Sequence, residues 1–166
     1  MEKIIIGQGL GILATVITFV SYQVNTKRML LLIQTVATLC TCLSFLFLGA
    51  STGFALNIVC IVRNVVFYFL DTKSKLYYPA VTILTLMMVG VGALSWQGWI
   101  SLLVITALAV NTVCISIGNP QLLRKSILVT STMMIVYNAF VFSIGGMTNE
   151  GISIVSSVIG IIRYKK

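Results

Sequence analysis

Two amides and a guanidinium stand inside a stretch apolar enough to cross a bilayer: Asn57, Arg63 and Asn64, between Gly53 and Tyr68. On a helix, residues seven apart share a face, so Asn57 and Asn64 form a stripe, with Tyr68 close to the same line and Arg63 beside it. A charge at membrane depth costs at least ~2.5 kcal/mol on insertion scales, so Arg63 is expected to face protein or a water-filled cavity. The plainer alternative is an arginine whose head group snorkels to the cytoplasmic surface. Arg63 lies about eight residues from that end of its helix, ~12 Å by helical rise, and a stretched arginine covers roughly half of this. Snorkelling alone therefore leaves it partly buried, and its guanidinium is expected to meet Asn111, a carbonyl of the fifth helix or a bound anion. A planar fork of donors beside amides that both donate and accept suits a small polar or anionic solute.

The other polar residues of the apolar runs sort by depth. At 1.5 Å per residue in a core of about 30 Å, Asn64 and Asn111 fall near the midplane, and Asn57 and Asn138 in the outer half with Tyr137 beside Asn138. Asn57, Arg63, Asn64, Asn111, Tyr137 and Asn138 are the candidate solute-binding residues. Thr15, Thr18, Thr38, Thr41 and Thr106 add hydroxyls between these layers; Gln8 sits near the outer mouth, and Gln23 and Gln34 lie towards the cytoplasm. Isolated amides and hydroxyls more often hydrogen-bond between helices, for about 0.6–2 kcal/mol each. Glu150 reads as an acid in the first turn of the last helix, where it favours the helix dipole. With no histidine in the chain and no carboxylate expected mid-membrane, passive exchange is favoured over proton-driven transport. No nucleophile–base pair or phosphate loop has a believable context, so no enzyme is expected, and no cofactor or metal. Cys40, Cys42, Cys60 and Cys114 read as small packing residues.

The elements that must position these groups are membrane helices. The chain is 58% hydrophobic and 8% charged, against roughly 25% charged for a soluble domain. An all-α integral membrane protein is expected, with the lipid bilayer and a small-molecule solute as partners and no nucleic acid. No cleavable signal is evident in the first apolar run. Seven runs approach the ~20 residues that a span requires. They cover about 4–23, 29–48, 53–70, 76–94, the stretch to 117, the stretch to 144, and 151–164. The Gly145 to Glu150 segment reads as a turn. Trp96 and Trp99 mark an interfacial loop, as tryptophans do at headgroup level.

Nine basic residues fall in the breaks after helices 1, 3 and 5 and at the C-terminal end; the other side carries Lys3 alone. The positive-inside rule then puts the N-terminus outside and the C-terminus in the cytoplasm. The chain also repeats. Asn25 to Arg28, Phe45-Leu46-Phe47, Gly49, Gly53 and Arg63 align, with small gaps, to Asn119 to Arg124, Phe140-Val141-Phe142, Gly145-Gly146, Gly151 and Arg163. The expected organisation is a three-helix unit over 1–71, a linker helix over 76–94, and a second three-helix unit over 97–166. An odd-numbered unit plus one linker makes the units parallel, with a site near the midplane where they meet. One chain then forms a complete site, as monomer or homodimer.

This 3+1+3 arrangement resembles the SWEET and PQ-loop class of transporters. Tyr22-Gln23 keeps the glutamine of that class's Pro-Gln signature, and Pro120-Gln121 carries both residues somewhat late. The resemblance implies that Asn57 lines a substrate site, with Ser156 and Ser157 in the corresponding region of the last helix. A closer likeness is to the YgjV-like family of small bacterial inner-membrane proteins. It rests on Gly7-Gln8-Gly9-Leu10-Gly11, on Leu56-Asn57 with Arg63, and on the segment from Tyr137-Asn138 through Ser143, Gly146, Glu150-Gly151 and Ile161-Ile162-Arg163. It implies a PQ-loop-like fold in a bacterial inner membrane. Together these readings favour a facilitative transporter; the alternative is a non-transporting receptor or assembly partner of the same fold. Reporter tags should locate the N-terminus outside and the C-terminus in the cytoplasm; a cytoplasmic N-terminal tag contradicts the seven-helix topology.

Overall fold

The computed structural model describes residues 2–21, 27–70, 74–117 and 120–163. Among them are seven α-helices: α1 (Glu2–Ser21), α2 (Lys27–Leu48), α3 (Ser51–Phe69), α4 (Tyr77–Leu94), α5 (Ser101–Ile117), α6 (Pro120–Phe140) and α7 (Ile144–Arg163). Four of them, α1 to α4, contain segments long and apolar enough to span a membrane, and α5 has a shorter apolar segment, Ser101–Cys114. In α6 and α7 no such segment is found among the described residues; they carry Thr130, Ser131, Asn138, Asn149, Glu150 and Ser153, all of which line one interior cavity. Their polarity is turned inward. The outward faces are apolar: Ile5, Phe19, Leu86, Val129 and Ile162 are all exposed. The Tyr22-Gln23 pair, Asn25, Asp71, Lys73, Asn119 and the last three residues lie outside the described residues.

The helices form a ring. Each of α1, α2 and α3 packs on the next; α3 meets α5; α5, α6 and α7 follow in turn; and α7 closes against α1. α4 bridges α3 and α5. Along α3 the buried positions Leu56, Val59, Cys60, Arg63 and Phe67 recur every three or four residues, which is the stripe a helix must bury. Leu56, Val59 and Cys60 share one apolar cluster with Phe45, Met88, Val104 and Tyr137.

Two helix boundaries differ from expectation. α6 starts at Pro120, because proline suits a first helical position: its missing N–H is one that no helix could satisfy there. α7 starts at Ile144, so the Gly145-Gly146 pair is helical and not a turn. The reversal takes place instead at Val141 to Ser143, with Phe142 in the left-handed region at φ 54°. The two glycines serve packing. A Cβ on Gly145 would lie 2.2 Å from the carbonyl carbon of Gly11, so the backbones of α7 and α1 touch there. Gly7 and Gly11 are likewise set against neighbouring helices, whereas Gly9 faces open space.

The α2–α3 and α6–α7 reversals are built alike, residue for residue. Gly49, at φ 75°, matches Phe142, at φ 54°, ninety-three positions on. Gly49 N–H donates to Leu46 O (3.3 Å) and Phe142 N–H to Ala139 O (3.2 Å). Ala50 N–H donates to Phe45 O (2.9 Å) and Ser143 N–H to Asn138 O (2.8 Å). These paired bonds are the Schellman pattern, which satisfies the last carbonyls of a helix through one left-handed residue. A glutamine clamps each reversal. Gln8 of α1 donates to Phe142 O and accepts from Ile144 N–H (3.0 Å). Gln97, from the loop after α4, donates to Gly49 O (3.1 Å) and accepts from Thr52 N–H (3.3 Å).

The contact between α1 and α7 closes the ring, and it tolerates no side chain at Gly145. Gly145→Ala should therefore destabilise the protein by about 1–3 kcal/mol, the usual cost of overpacking, read as earlier thermal unfolding in detergent. Gly9→Ala, where nothing lies within 4 Å, should unfold as the wild type does. Equal effects would contradict the close approach.

Candidate functional site

The ring encloses a cavity of about 420 Å³. Five of the six candidate residues line it: Asn57, Arg63 and Asn64 from α3, Asn111 from α5 and Asn138 from α6. Tyr137 does not. Its side chain is fully buried behind the wall, where its hydroxyl accepts from Gly53 N–H at 2.9 Å and its ring meets Phe45 edge to face. That bond satisfies one of the N–H groups that the first turn of α3 leaves without an intrahelical partner. Ala50, the residue before α3, provides no side-chain cap.

Arg63 is 7% exposed and holds its guanidinium on neutral oxygens. Nε and one terminal nitrogen donate to Asn64 Oδ1 at 3.3 and 3.1 Å, and the other terminal nitrogen donates to Thr112 Oγ1 at 3.2 Å. Thr112 donates in turn to Leu108 O at 2.8 Å, and Met88 Sδ lies 3.2 Å from the same hydroxyl. The partner on α5 is thus Thr112, one residue beyond the expected Asn111. α5 runs with its hydroxyl at position 112 under the arginine, while Asn111, half-buried, turns to the cavity. Arg63 is a wall residue of the cavity and not a snorkelling anchor. Asn57 donates to Gly53 O of its own helix at 2.7 Å. Asn138 is 1% exposed, with Oδ1 unpartnered among the described residues and packed where a Cβ on Gly146 would fall.

Glu150 departs from its expected role. It is the seventh residue of α7, not a cap, and it lines the cavity. The cap belongs to Ser143, whose Oγ accepts from Gly146 N–H at 3.2 Å. The Glu150 carboxyl lies within reach of the Ser131 and Asn149 side chains. From the start of each helix, Arg63 comes out ~18 Å deep and Glu150 ~9 Å deep by helical rise. A carboxyl group therefore stands on the cavity wall inside α7 and not at its cap. The signal was legible only with the boundary of α7 in hand: once Ile144 begins the helix, Glu150 lies two turns inside it.

The wall is paired at the spacing of the two reversals. Thr18 corresponds to Asn111, Gln34 to Ile127, Thr38 to Ser131, Thr41 to Met134, Asn57 to Glu150 and Cys60 to Ser153, each ninety-three positions apart and each lining the cavity. This spacing differs from the one that aligns the Phe-x-Phe pairs and Arg63 with Arg163. Arg63 corresponds to Ser156, which lies on the outer face, and Asn64 to the buried Ser157.

A family model described as a bacterial inner membrane protein, Imp-YgjV, matches residues 5–166. The chain belongs to this family. No curated protein and no solved structure matches it. For an Imp-YgjV protein the apolar exterior has its solvent: the lipid of a bacterial inner membrane, crossed by several helices. The polar groups of α3, α6 and α7 meet inside, away from that lipid.

Proposed function

We propose that this Imp-YgjV protein is a transporter of a small polar or anionic solute, which binds in the central cavity between two parallel three-helix units. The observation that carries the reading is the cavity itself: one guanidinium, one carboxylate and several amides converge on a space of about 420 Å³, enclosed by helices whose outer faces are apolar. Such groups are costly at membrane depth and, where they occur, mark solute or ion pathways. Two facts support the 3+1+3 organisation. The packing order α1–α2–α3–α5 becomes α5–α6–α7–α1 when each unit is replaced by the other, and the reversals and cavity walls match at one spacing. In a PQ-loop-like carrier, a cavity on the axis between the units is opened to either side by rocking one unit on the other. The charge distribution orients the chain with the N-terminus outside and the C-terminus in the cytoplasm.

The test starts from the metabolites that accumulate or disappear in cells lacking the protein, followed by uptake of those solutes into proteoliposomes. Arg63→Leu should abolish uptake while the protein inserts and folds, because leucine suits the bilayer. Arg63→Lys should restore a minor part, since an ammonium lacks the planar fork. Uptake by Arg63→Leu at the wild-type rate would move the site elsewhere.

A further inference from the structure

Among the described residues the cavity wall carries one basic side chain, Arg63, and one acidic one, Glu150, and neither meets the other. Arg63 donates to Asn64 and Thr112, and Glu150 has the side chains of Ser131 and Asn149 within reach, all of them neutral. The two heads approach the cavity from different helices, α3 and α7, on opposite units of the repeat. Their Cα levels differ by ~9 Å by helical rise. The neighbouring side chains draw the heads closer in depth: Thr112 lies eleven residues into α5 and Ser131 nine residues before the end of α6, which puts them ~16 and ~13 Å from the outer ends of those helices. A charge in a low-dielectric site is stabilised fully only by an opposite charge, because neutral hydrogen bonds replace only part of its lost hydration. The cavity is thus bipolar, with an acceptor pole at Glu150 and a donor pole at Arg63.

We propose that the solute is a zwitterion, with a cationic amine on Glu150 and a carboxylate or other anionic group on Arg63. This rests on the transport reading and narrows its solute class. An ammonium brings three donors to the acceptor pole, and a carboxylate accepts two parallel bonds from the guanidinium fork. Each pole alone would leave the other charge facing the cavity uncompensated, so a simple anion or a simple amine binds less well than a molecule carrying both. The asymmetry has a structural origin. Glu150 occupies the position that Asn57 holds in the first unit, and Arg63 the position of Ser156 in the second, so the repeat places one charge on each unit.

The test uses thermal unfolding of the purified full chain in detergent. The probes are glycine, β-alanine, 4-aminobutyrate and 6-aminohexanoate, each beside its N-acetyl form, its amide and the amine-free acid of the same length. At least one zwitterion should stabilise the wild type, with an apparent affinity about tenfold or more above both of its single-charge analogues. The chain length of the best binder reads the separation of the two poles. Glu150→Gln keeps the size and hydrogen-bonding capacity of the side chain and should bring the zwitterion down to the level of the amine-free acid. Arg63→Leu should bring it down to the level of the amide. The wild-type comparison stands even where a variant folds poorly. Equal binding of the amine-free acids to wild type and Glu150→Gln, with no gain from the amine, would overturn the zwitterion and leave an anion carrier. Anion binding that requires sodium and is lost in Glu150→Gln would assign the carboxylate to a metal cation and overturn it too. No stabilisation by any probe would overturn the zwitterion, while proteoliposome uptake that still depends on Arg63 would keep the transport reading; no uptake of any solute by the wild type would remove both.

Discussion

A guanidinium well inside a membrane helix has to be surrounded by oxygen, and much of this molecule follows from that requirement. Arg63 turns towards Asn64 on its own helix and Thr112 on α5. Thr112 is wholly buried, and its hydroxyl also contacts Met88 of α4 and Leu108. One positive charge therefore sits where α3, α4 and α5 meet. That junction is where the second half of the ring joins the first, with α4 lying across it. Below and above the arginine α3 also buries Phe67, Cys60, Leu56 and Val59, so the packing that buries this stripe also fixes where the charge points. The rotation of α3 and the position of its charge are one constraint.

The two reversals share a backbone pattern and differ in side-chain chemistry. Equivalent Schellman reversals hold α2 to α3 and α6 to α7, and Gln97 and Gln8 clamp them through the same carbonyl position. Backbone hydrogen bonds of this kind depend on conformation and tolerate many side chains, down to a phenylalanine standing where the other copy has a glycine. The wall of the cavity is different: at the same spacing Asn57 corresponds to Glu150, and Cys60 to Ser153. Two like reversals thus accompany a polar cavity whose wall carries an arginine on α3 and a glutamate on α7.

How much of this the sequence discloses depends on which property carries the information. The Asn57–Asn64 stripe with Arg63 beside it is legible, because helical periodicity projects directly onto a face. The count of seven helices is legible because apolar runs near span length have few other folds available. Glu150 is not, because Gly145-Gly146 looks like a helix breaker. In a membrane helix the same residues let two backbones touch, and Gly145 against Gly11 does so. Tyr137 is misplaced for a simpler reason: it neighbours Asn138 in the chain, but adjacent helical residues point about 100° apart, so one lines the cavity and the other braces α3. The repeat register escapes because its most recognisable feature, the left-handed residue of the reversal, is glycine in one copy and phenylalanine in the other.

The central claim is that the cavity is an aqueous solute path and not merely a polar seam between packed helices. Cys60 lies on its wall, 4% exposed, while Cys40, Cys42 and Cys114 line no part of it. A variant retaining Cys60 as its one thiol, with the other three replaced by alanine, can be exposed to a membrane-impermeant thiol reagent in right-side-out and inside-out vesicles. The account predicts modification of Cys60 from both sides, at a rate that falls when transported solute is present. A thiol that stays unreactive from both sides, yet reacts fully once the protein is unfolded, would mean a closed bundle and contradict it.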